Sequence, residues 1–238
     1  MFFRLSNAAD LEQVEAMSGL PFKHPNLYRP RMLIDGLLES SISIITMNDP
    51  TVIDFAIWGL MPNGYKEDWL TFQNSFNSLN FSLDQIRDSI WIHDPLKKQR
   101  SLIIVSGFFT YLMKKGQLYP YYISLQNEQP FYLGSIYSTL EDGFLSTGLL
   151  TTNTDNFIKT YNNLSKSKPL ILPESLAQTW LDPASGIETI KNIIQNPPKL
   201  KLRANPIASE FFKKNILYDS LLNPVHYEGL PEGTNFTD

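Results

Sequence analysis

Residues 100–137, RSLIIVSGFFTYLMKKGQLYPYYISLQNEQPFYLGSIY, contain the strongest structural signal in this sequence. Three apolar runs rich in β-branched and aromatic residues, 100–105, 121–125 and 131–137, are typical of β-strands. The polar run 126–129 between the last two predicts a β-hairpin. The stretch therefore indicates a sheet with antiparallel strands at the centre of the fold.

Further strands and several helices are predicted on both sides of this stretch. Strands are expected at 41–46, 51–58 and 144–151. In the second of these, the apolar residues alternate with others and are expected to face the core, namely Ile53, Phe55 and Ile57. Helices are predicted after a cap at Ser6 or Asn7 with a stop at Gly19, after Asp155, after Pro173, and along Ile187, Ile190 and Ile194.

Three other segments lack a regular pattern. Residues 21–40 contain three prolines and are predicted to form a loop followed by a short helix. Residues 62–98 are predicted as a long polar excursion over the surface. Since no repeat or break in composition occurs, the sequence predicts one domain over residues 1–220 and a C-terminal tail over 221–238, of which the last dozen residues are expected to be loose.

Composition and charge exclude several classes of protein. Hydrophobic residues make up 42% of the 238, which is enough for a core, and the net charge of −4 gives no global sign of a nucleic-acid binder. The absence of cysteine removes disulfides, thiolate metal sites and cysteine nucleophiles. The longest apolar stretch, 101–113, falls short of the roughly 20 residues of a transmembrane helix, and no signal peptide is apparent. We therefore expect a cytoplasmic protein with no membrane partner.

Common metal, cofactor and phosphate motifs are missing from the sequence. The three histidines are scattered, and no glycine-rich phosphate loop is present, so neither a metal nor a cofactor is predicted. Lys97, Lys98 and Arg100 are interpreted as a solvated flank of the next strand. The alternating charges of 199–203 are the best candidate for a phosphate-facing strand, although an exposed strand face is favoured.

Several segments, in the same order along the chain, resemble the SRAP family (SOS response-associated peptidases and abasic-site processing proteins). Trp58-Gly59-Leu60-Met61-Pro62 resembles the family's WGLIP signature, and Gly107-Phe108-Phe109-Thr110-Tyr111 resembles its GFYEW element. Shorter similarities are found at Met1–Arg4, Leu79–Ile86, Arg100–Ile104, Pro120–Ile123, Gly134–Ser138, Leu150–Thr152, Tyr161–Leu172 and Trp180–Leu181. The resemblance implies an α/β protein of the α+β type: a single domain with a mostly antiparallel, barrel-like sheet flanked by helices.

The resemblance also implies a site and a reaction. In the family, an N-terminal cysteine uses its amine and its thiol to close a ring on the aldehyde of an abasic site in single-stranded DNA. The family's cysteine corresponds to Phe2, its glutamate to Thr110, and its histidine to Asn162 or, with a different gap, to Ser165. The asparagine that positions the N-terminus is retained as Asn80. These positions are expected to converge on one cleft.

Because the thiol, the carboxylate and the imidazole are all replaced, the resemblance predicts a pseudoenzyme. No covalent adduct and no autocleavage after the first residue are expected, because these three groups are missing. Met1 is also expected to stay attached, since an initiator methionine is removed only before small residues. The favoured hypothesis is non-covalent binding of single-stranded DNA in the DNA-damage (SOS) response. The alternatives are a scaffold that binds a protein or small ligand in the same groove, and a residual paralogue with little activity. The candidate DNA contacts are Asn80, Trp58, Tyr65, Thr151 and Arg4. Among the family's DNA-contacting residues, the resemblance implies that Arg4 is the one clearly retained.

Overall fold

The computed structural model describes residues 2–212, 220–231 and 233–234. The strands in this part of the chain are β1 (Arg4–Asn7), β2 (Arg31–Asp35), β3 (Ser41–Thr46), β4 (Asp54–Trp58), β5 (Asn80–Phe81), β6 (Arg100–Val105), β7 (Gly107–Lys114), β8 (Gln117–Leu125), β9 (Phe131–Thr139), β10 (Leu145–Asn153), β11 (Ser167–Pro169), β12 (Ile171–Leu172), β13 (Leu202–Pro206) and β14 (Gly233–Thr234). The helices are α1 (Leu11–Ser18), α2 (Trp69–Ser75), α3 (Leu83–Arg87), α4 (Ile90–Lys98), α5 (Asn156–Tyr161), α6 (Glu174–Leu181) and α7 (Ile187–Gln195), and short 3₁₀ turns lie at Pro25–Leu27 and Ser209–Phe212.

Five strands close into a barrel. Its order is β4-β3-β6-β9-β10, with antiparallel neighbours throughout, and a parallel pairing of β10 with β4 closes the ring. The short strands β5 and β11 pair with β10, and β12 pairs with β9. The predicted α+β domain with a mostly antiparallel, barrel-like sheet is confirmed.

A second, six-stranded sheet has the order β14-β13-β8-β7-β1-β2. The apolar stretch 101–113 supplies one strand to each sheet, because β6 belongs to the barrel and β7 to the second sheet. Only glycine fits at the start of β7, since a Cβ at Gly107 would lie 2.4 Å from the ring of Tyr122. Side chains of both sheets, among them Ile103 and Phe108, meet in one core cluster.

A second core cluster lies between the barrel and the helices that flank it, with Val14 of α1, Leu96 of α4 and Trp180 of α6 packed against the barrel. The two faces of β6 pack against different core clusters, so all six of its residues are buried. A strand covered on both faces reads as a continuous apolar run, which explains the strength of its sequence signal.

The orientation predicted for β4 is wrong for most of the strand. Ala56 and Trp58 are buried in the core between the sheets, whereas Phe55 and Ile57 are half-buried. Ile53, which was expected on the same face as these two, is buried but lies just outside the strand. The prediction placed the large side chains of Phe55 and Ile57 on the core face of β4, but Ala56 and Trp58 occupy that face.

Two segments differ in secondary structure from their predictions. The short helix expected at the end of 21–40 is instead β2, an edge strand that pairs with β1. The polar excursion 62–98 contains α2, α3, α4 and β5. These elements are short, so their periodicity is weak. Two of the helices begin at side-chain caps: Asp68 accepts the Thr71 N–H at the start of α2, and Ser82 accepts the Gln85 N–H at the start of α3.

The cap predicted for α1 is also wrong. Asp10, and not Ser6 or Asn7, caps the helix, because its side chain accepts the Gln13 N–H while the Gln13 side chain accepts the Asp10 N–H. The stop at Gly19 is confirmed by its left-handed conformation, with a φ of 67°. Ser6 and Asn7 belong to β1 instead.

The described part of the C-terminal region is packed and not loose as predicted. Leu221 is buried in a small cluster with Phe109 and Phe211, and the Val225 N–H donates to the Pro206 carbonyl. Gly233 pairs with Ala204 through β14 and β13. Because these contacts join residues far apart in sequence, a local composition rich in proline, glycine and asparagine did not reveal them.

Candidate functional site

The position that the resemblance assigns to the family's cysteine holds a buried aromatic ring. Phe2 is 3% exposed and lies in the core that both sheets share. Its ring meets that of Phe108 edge-on, with centroids 5.8 Å apart. Thr110 lies two residues beyond Phe108 on β7, so the two side chains point to the same face of the strand. Phe2 therefore fills core volume on the side of the sheet that Thr110 faces.

The side-chain amide of Asn80 forms hydrogen bonds with both the backbone nitrogen and the carbonyl of Phe2. The Phe2 backbone nitrogen donates to Asn80 Oδ1 at 3.3 Å, and Asn80 Nδ2 donates to the Phe2 carbonyl at 2.5 Å. Asn80 itself is buried and is held by β5, where it lies opposite Leu149 of β10. The two chain segments, 78 residues apart, are thus joined by a paired donor and acceptor.

Replacing Asn80 by alanine is expected to lower the free energy of unfolding by about 2 kcal/mol, because two buried hydrogen bonds of roughly 1 kcal/mol each are lost. Urea denaturation monitored by tryptophan fluorescence measures the change. The control is Asn26→Ala, since Asn26 is exposed and forms no side-chain hydrogen bond among the described residues. Equal stability of the two variants would contradict a role for Asn80 in holding Phe2.

Thr110 and Asn162 are both buried, but neither touches Phe2 through a hydrogen bond in the described part of the chain. The Thr110 hydroxyl has no hydrogen-bond partner among the described residues. Asn162 follows Tyr161, whose ring lies 5.1 Å from that of Tyr121, the residue that pairs with Thr110 across β7 and β8. The end of α5 therefore lies against the same face of the second sheet.

Ser165, the alternative position for the family's histidine, lies in the turn before β11. Its hydroxyl is 3.1 Å from that of Ser167 and also accepts the Ser167 N–H. Asn162 is the more buried of the two, and its Oδ1 accepts the Leu164 N–H at 3.3 Å. Both side chains therefore have local partners in the loop after α5.

Arg4, the retained arginine, is enclosed by aromatic rings and a carboxylate. Its guanidinium carbon lies 4.8 Å from the ring centre of Phe211 and 5.4 Å from that of Phe3. Its Nε lies 3.4 Å from Asp35 Oδ2, in a half-buried ion pair. Burial raises the pKa of neighbouring Tyr111 to about 12, although Arg4 partly offsets the effect. The surroundings of Arg4 are thus aromatic and close to neutral.

The other candidate DNA contacts have different exposures. Trp58 is fully buried, and its Nε1 donates to the Leu79 carbonyl at 3.1 Å. Thr151 is also buried, with its hydroxyl donating to the Phe81 carbonyl at 3.3 Å. Tyr65 is half-buried and packs edge-on against Phe72, with ring centroids 5.2 Å apart.

Among the described residues, no three or more histidine, aspartate and glutamate side chains lie close enough together to hold a metal ion. In the same part of the chain, none of the helices has the length and apolar character needed to cross a membrane.

Three solved structures of low sequence identity share this fold. A protein from Bacteroides thetaiotaomicron superimposes with a TM-score of 0.83 at 21% identity, covering 94% of this chain and 100% of its own. A Bordetella bronchiseptica protein gives a TM-score of 0.71 at 16% identity, over 87% of this chain and 99% of its own. A phage-related protein of the same organism gives 0.61 at 19% identity, over 86% and 93%. The barrel with its second sheet is therefore a recurrent fold.

The sequence places the chain within one family that has this fold. Residues 1–213 match the family described as SOS response associated peptidase (SRAP). The chain belongs to the SRAP family, as its resemblance implied.

An abasic site processing protein of Saccharomyces cerevisiae is 25% identical to the chain over 114 residues. The match covers 48% of this chain and 30% of the yeast protein. The chain thus matches about a third of the length of that relative.

The sequence did not reveal the partners of Arg4. Asp35 lies on an edge strand that was predicted as helix, and Phe211 lies in a 3₁₀ turn within a region without periodicity. No local pattern connects these residues, because both contacts depend on how distant segments pack.

Proposed function

We propose that this chain is an SRAP-family pseudoenzyme that binds single-stranded DNA without forming a covalent bond to it. The observation that supports the proposal is the buried ring of Phe2 at the nucleophile position, held by Asn80 and packed against Phe108. A phenyl ring can neither attack an aldehyde nor transfer a proton. Thr110 and Asn162 supply no carboxylate or imidazole at the positions that correspond to the family's acid–base groups.

DNA as the ligand follows from the family and from the yeast relative named for abasic site processing. Half-buried aromatic side chains such as Tyr65 offer stacking surfaces, and stacking contributes about 1–3 kcal/mol per base without sequence preference. The SOS response is the setting that the family description suggests.

A second candidate function is favoured by the environment of Arg4. Its charge is paired with Asp35 and covered by Phe211, so the retained arginine offers little to a phosphate. A neutral aromatic surface of this kind suits a protein or small ligand better than a polyanion. With this scaffold function, the chain would have the SRAP fold but would bind a protein or small ligand in place of nucleic acid.

The pseudoenzyme proposal predicts no SDS-stable band when the protein is incubated with an abasic single-stranded oligonucleotide and run on a denaturing gel without reductant. An amine of the protein would form an imine with the aldehyde of the abasic site. This imine would hydrolyse, since no thiol is present to trap it. A cysteine-containing SRAP protein run in parallel is the positive control. A stable shifted band from this chain would overturn the proposal.

Fluorescence polarisation with an intact oligonucleotide tests DNA binding separately from chemistry. We expect an affinity that falls as the salt concentration rises, because phosphate contacts release counterions. No binding even at low ionic strength would refute DNA as the ligand and support the scaffold function.

A further inference from the structure

A cleft of about 550 Å³ lies between the edge strand β2 and the β3–β4 hairpin of the barrel. The described residues that line it include none of those in the candidate site above. Its floor is apolar and is formed by Ile34, Ile42 and Ala56, which belong to the core that both sheets share. A cavity of this size with an apolar floor is typical of binding sites for small ligands.

Asn7 places an unused amide in this cleft. It lines the cleft and is only 3% exposed. Its Oδ1 is completely buried without a hydrogen-bond partner, and its Nδ2 donates to none of the described residues. Alternation along β1 turns Ser6 to the outer face, where its hydroxyl lies 3.2 Å from that of Ser106, so Leu5 and Asn7 face the barrel. The amide is therefore directed into the space between the sheets, where the cleft opens.

A buried amide without partners is costly, because both of its groups lose water and gain no other hydrogen bond. Asn80 shows within this protein what satisfies such a group, since its amide binds both the nitrogen and the carbonyl of one main-chain residue, Phe2. The Asn7 amide has the same donor and acceptor. A residue of a peptide chain is therefore its chemical complement.

A cation lies directly opposite this amide. Arg31 of β2 is the partner of Asn7 in the β1–β2 register, and Cα atoms paired in this way lie about 5 Å apart. The Arg31 side chain lines the cleft and forms no hydrogen bond or ion pair with the described residues. Arg29, also in the lining, uses Nη1 for two main-chain carbonyls. The carboxylates of Glu39 and Asp142 belong to the loops before β3 and β10, so Arg31 marks the anion-binding end of the cleft.

Two large apolar side chains stand exposed at the rim of the cleft. Leu27 is 67% exposed and Phe144 is 65% exposed, and both line it. Apolar groups left exposed beside an apolar floor are typical of a surface that a ligand or partner covers. The ligand is therefore expected to carry an apolar side chain next to its polar groups.

We propose that this cleft binds the C-terminal residue of a peptide that ends in an aliphatic side chain. The N–H of that residue donates to Asn7 Oδ1, and its carboxylate accepts Asn7 Nδ2 and pairs with Arg31. Its side chain packs on Ile34 and Ile42. Rotation about the last side-chain bond of Asn7 turns Oδ1 toward the ligand.

The adjacency of Asn7 and Arg31 selects a terminal residue over an internal one. In a C-terminal residue, the N–H and the carboxylate are attached to the same Cα atom, so both lie within reach of two side chains on directly paired residues. An internal residue presents a neutral carbonyl at that point and leaves the Arg31 charge unpaired. This site does not depend on DNA binding elsewhere on the molecule.

The experiment is a titration of the whole protein with N-acetyl-leucyl-leucine, followed through the chemical shifts of backbone and side-chain amides. We expect saturable binding with a Kd near or below about 1 mM, with the largest shifts at the Asn7 side-chain amide and at Arg31. N-acetyl-leucyl-leucinamide, which lacks the carboxylate, is expected to bind at least about fivefold more weakly. Octanoate, which has a carboxylate and an aliphatic chain but no amide, is also expected to bind at least about fivefold more weakly. Equal affinity for either control compound, or no saturation by about 10 mM, would overturn the proposal.

The same substitution at two buried asparagines separates a ligand-binding amide from a structural one. Asn7→Leu is expected to weaken binding of N-acetyl-leucyl-leucine about tenfold without lowering the urea midpoint, because an apolar side chain of similar size replaces an amide that has no partner. Asn80→Leu is the matched control and should lower the midpoint, because it breaks both hydrogen bonds to Phe2. A lower midpoint for Asn7→Leu would show that its amide is structural, and the proposal would be wrong.

Arg31→Met tests the contact with the carboxylate. We expect this variant to bind N-acetyl-leucyl-leucine and its amide with Kd values within about twofold of each other. Arg87→Met, which removes another exposed arginine, should retain the preference for the free acid. If both variants retained the preference, or if both lost it, Arg31 would not be the partner of the carboxylate and the proposed site would be refuted.

Discussion

Replacing Arg100 by methionine is expected to lower the free energy of unfolding by about 4 kcal/mol, because it removes the donors that satisfy a set of buried carbonyl groups. Arg100 is 1% exposed. Its Nε donates to the Trp180 carbonyl at 2.6 Å, and Nη2 donates to the Asp182 carbonyl at 2.7 Å. Its Nη1 donates to the carbonyls of Leu96 and Lys97 at 3.1 and 2.8 Å.

These contacts join three separate elements. The guanidinium extends from β6 to the last turns of α4 and of α6, whose final carbonyls have no partner within their own helices. Burial lowers the Arg100 pKa and the Asp182 carboxylate partly offsets this, so the cation is held by carbonyl dipoles and a nearby negative charge. Methionine fills similar volume but has no donor, so the carbonyls of Leu96, Lys97 and Trp180 lose the guanidinium, whereas the Asp182 carbonyl still accepts the Ser185 N–H.

Guanidinium chloride denaturation of the two proteins measures the difference. The matched control is Arg87→Met, because Arg87 is highly exposed and, within the described part of the chain, forms ion pairs only with the exposed carboxylates of Asp84 and Asp88. That variant is expected to change stability by less than about 0.5 kcal/mol. A loss below about 1 kcal/mol for Arg100→Met would show that water replaces the lost donors and that these bonds are not structural.

Arg100 also shows where the sequence was informative and where it was not. The residue begins β6, a strand predicted with its bounds, but it was interpreted as part of a solvated basic flank. Its strand signal is local and strong, since Leu102 to Val105 are β-branched or leucine. Its burial depends on carbonyls 80 and 82 residues away, and a sequence pattern carries no information on such contacts.

In the candidate site, too, local patterns could be predicted from the sequence, whereas contacts between distant segments could not. The motif around Asn80 identified the residue that binds Phe2, because the family resemblance preserves order along the chain. The α3 cap at Ser82 followed by Gln85 was a usable local signal for a helix, but the polar composition of the segment obscured it. The enclosure of Arg4 by Asp35 and Phe211 could not be predicted, since it arises when the edge strand β2 and the C-terminal turn pack around β1.

Restoring cysteine at position 2 is expected to restore little of the family's covalent chemistry. The variant Phe2→Cys, prepared with residue 2 as its first residue, should form an SDS-stable adduct with abasic single-stranded DNA at least about 100-fold more slowly than Phe2→Cys/Thr110→Glu/Asn162→His. General acid–base groups contribute about 10²–10⁴-fold to rates, and the single variant lacks both of them. Quantified gel bands over time give the two rates.

Space for the added groups comes from the substitution itself. Removing the Phe2 ring vacates core volume on the face of β7 that carries Thr110, so a glutamate there gains room beside the new thiol. Burial would raise the pKa of that carboxyl and favour its protonated form. The protonated carboxyl can donate a proton to the sugar as its ring opens to the aldehyde. Asn80 would still bind the main chain of residue 2 and keep the nucleophile in place.

Two further variants make the outcome decisive. Phe2→Ser/Thr110→Glu/Asn162→His has the same vacated volume without a thiol and should give no stable adduct, because nothing traps the imine. Exchanging Asn162→His for Ser165→His in the active variant tests which position corresponds to the family's histidine, and we expect the Asn162 version to react faster because Asn162 is the more buried of the two. If Phe2→Cys alone reacted as fast as the triple variant, the missing thiol would be the whole defect, and the replacement of the acid–base groups would have no bearing on the loss of activity.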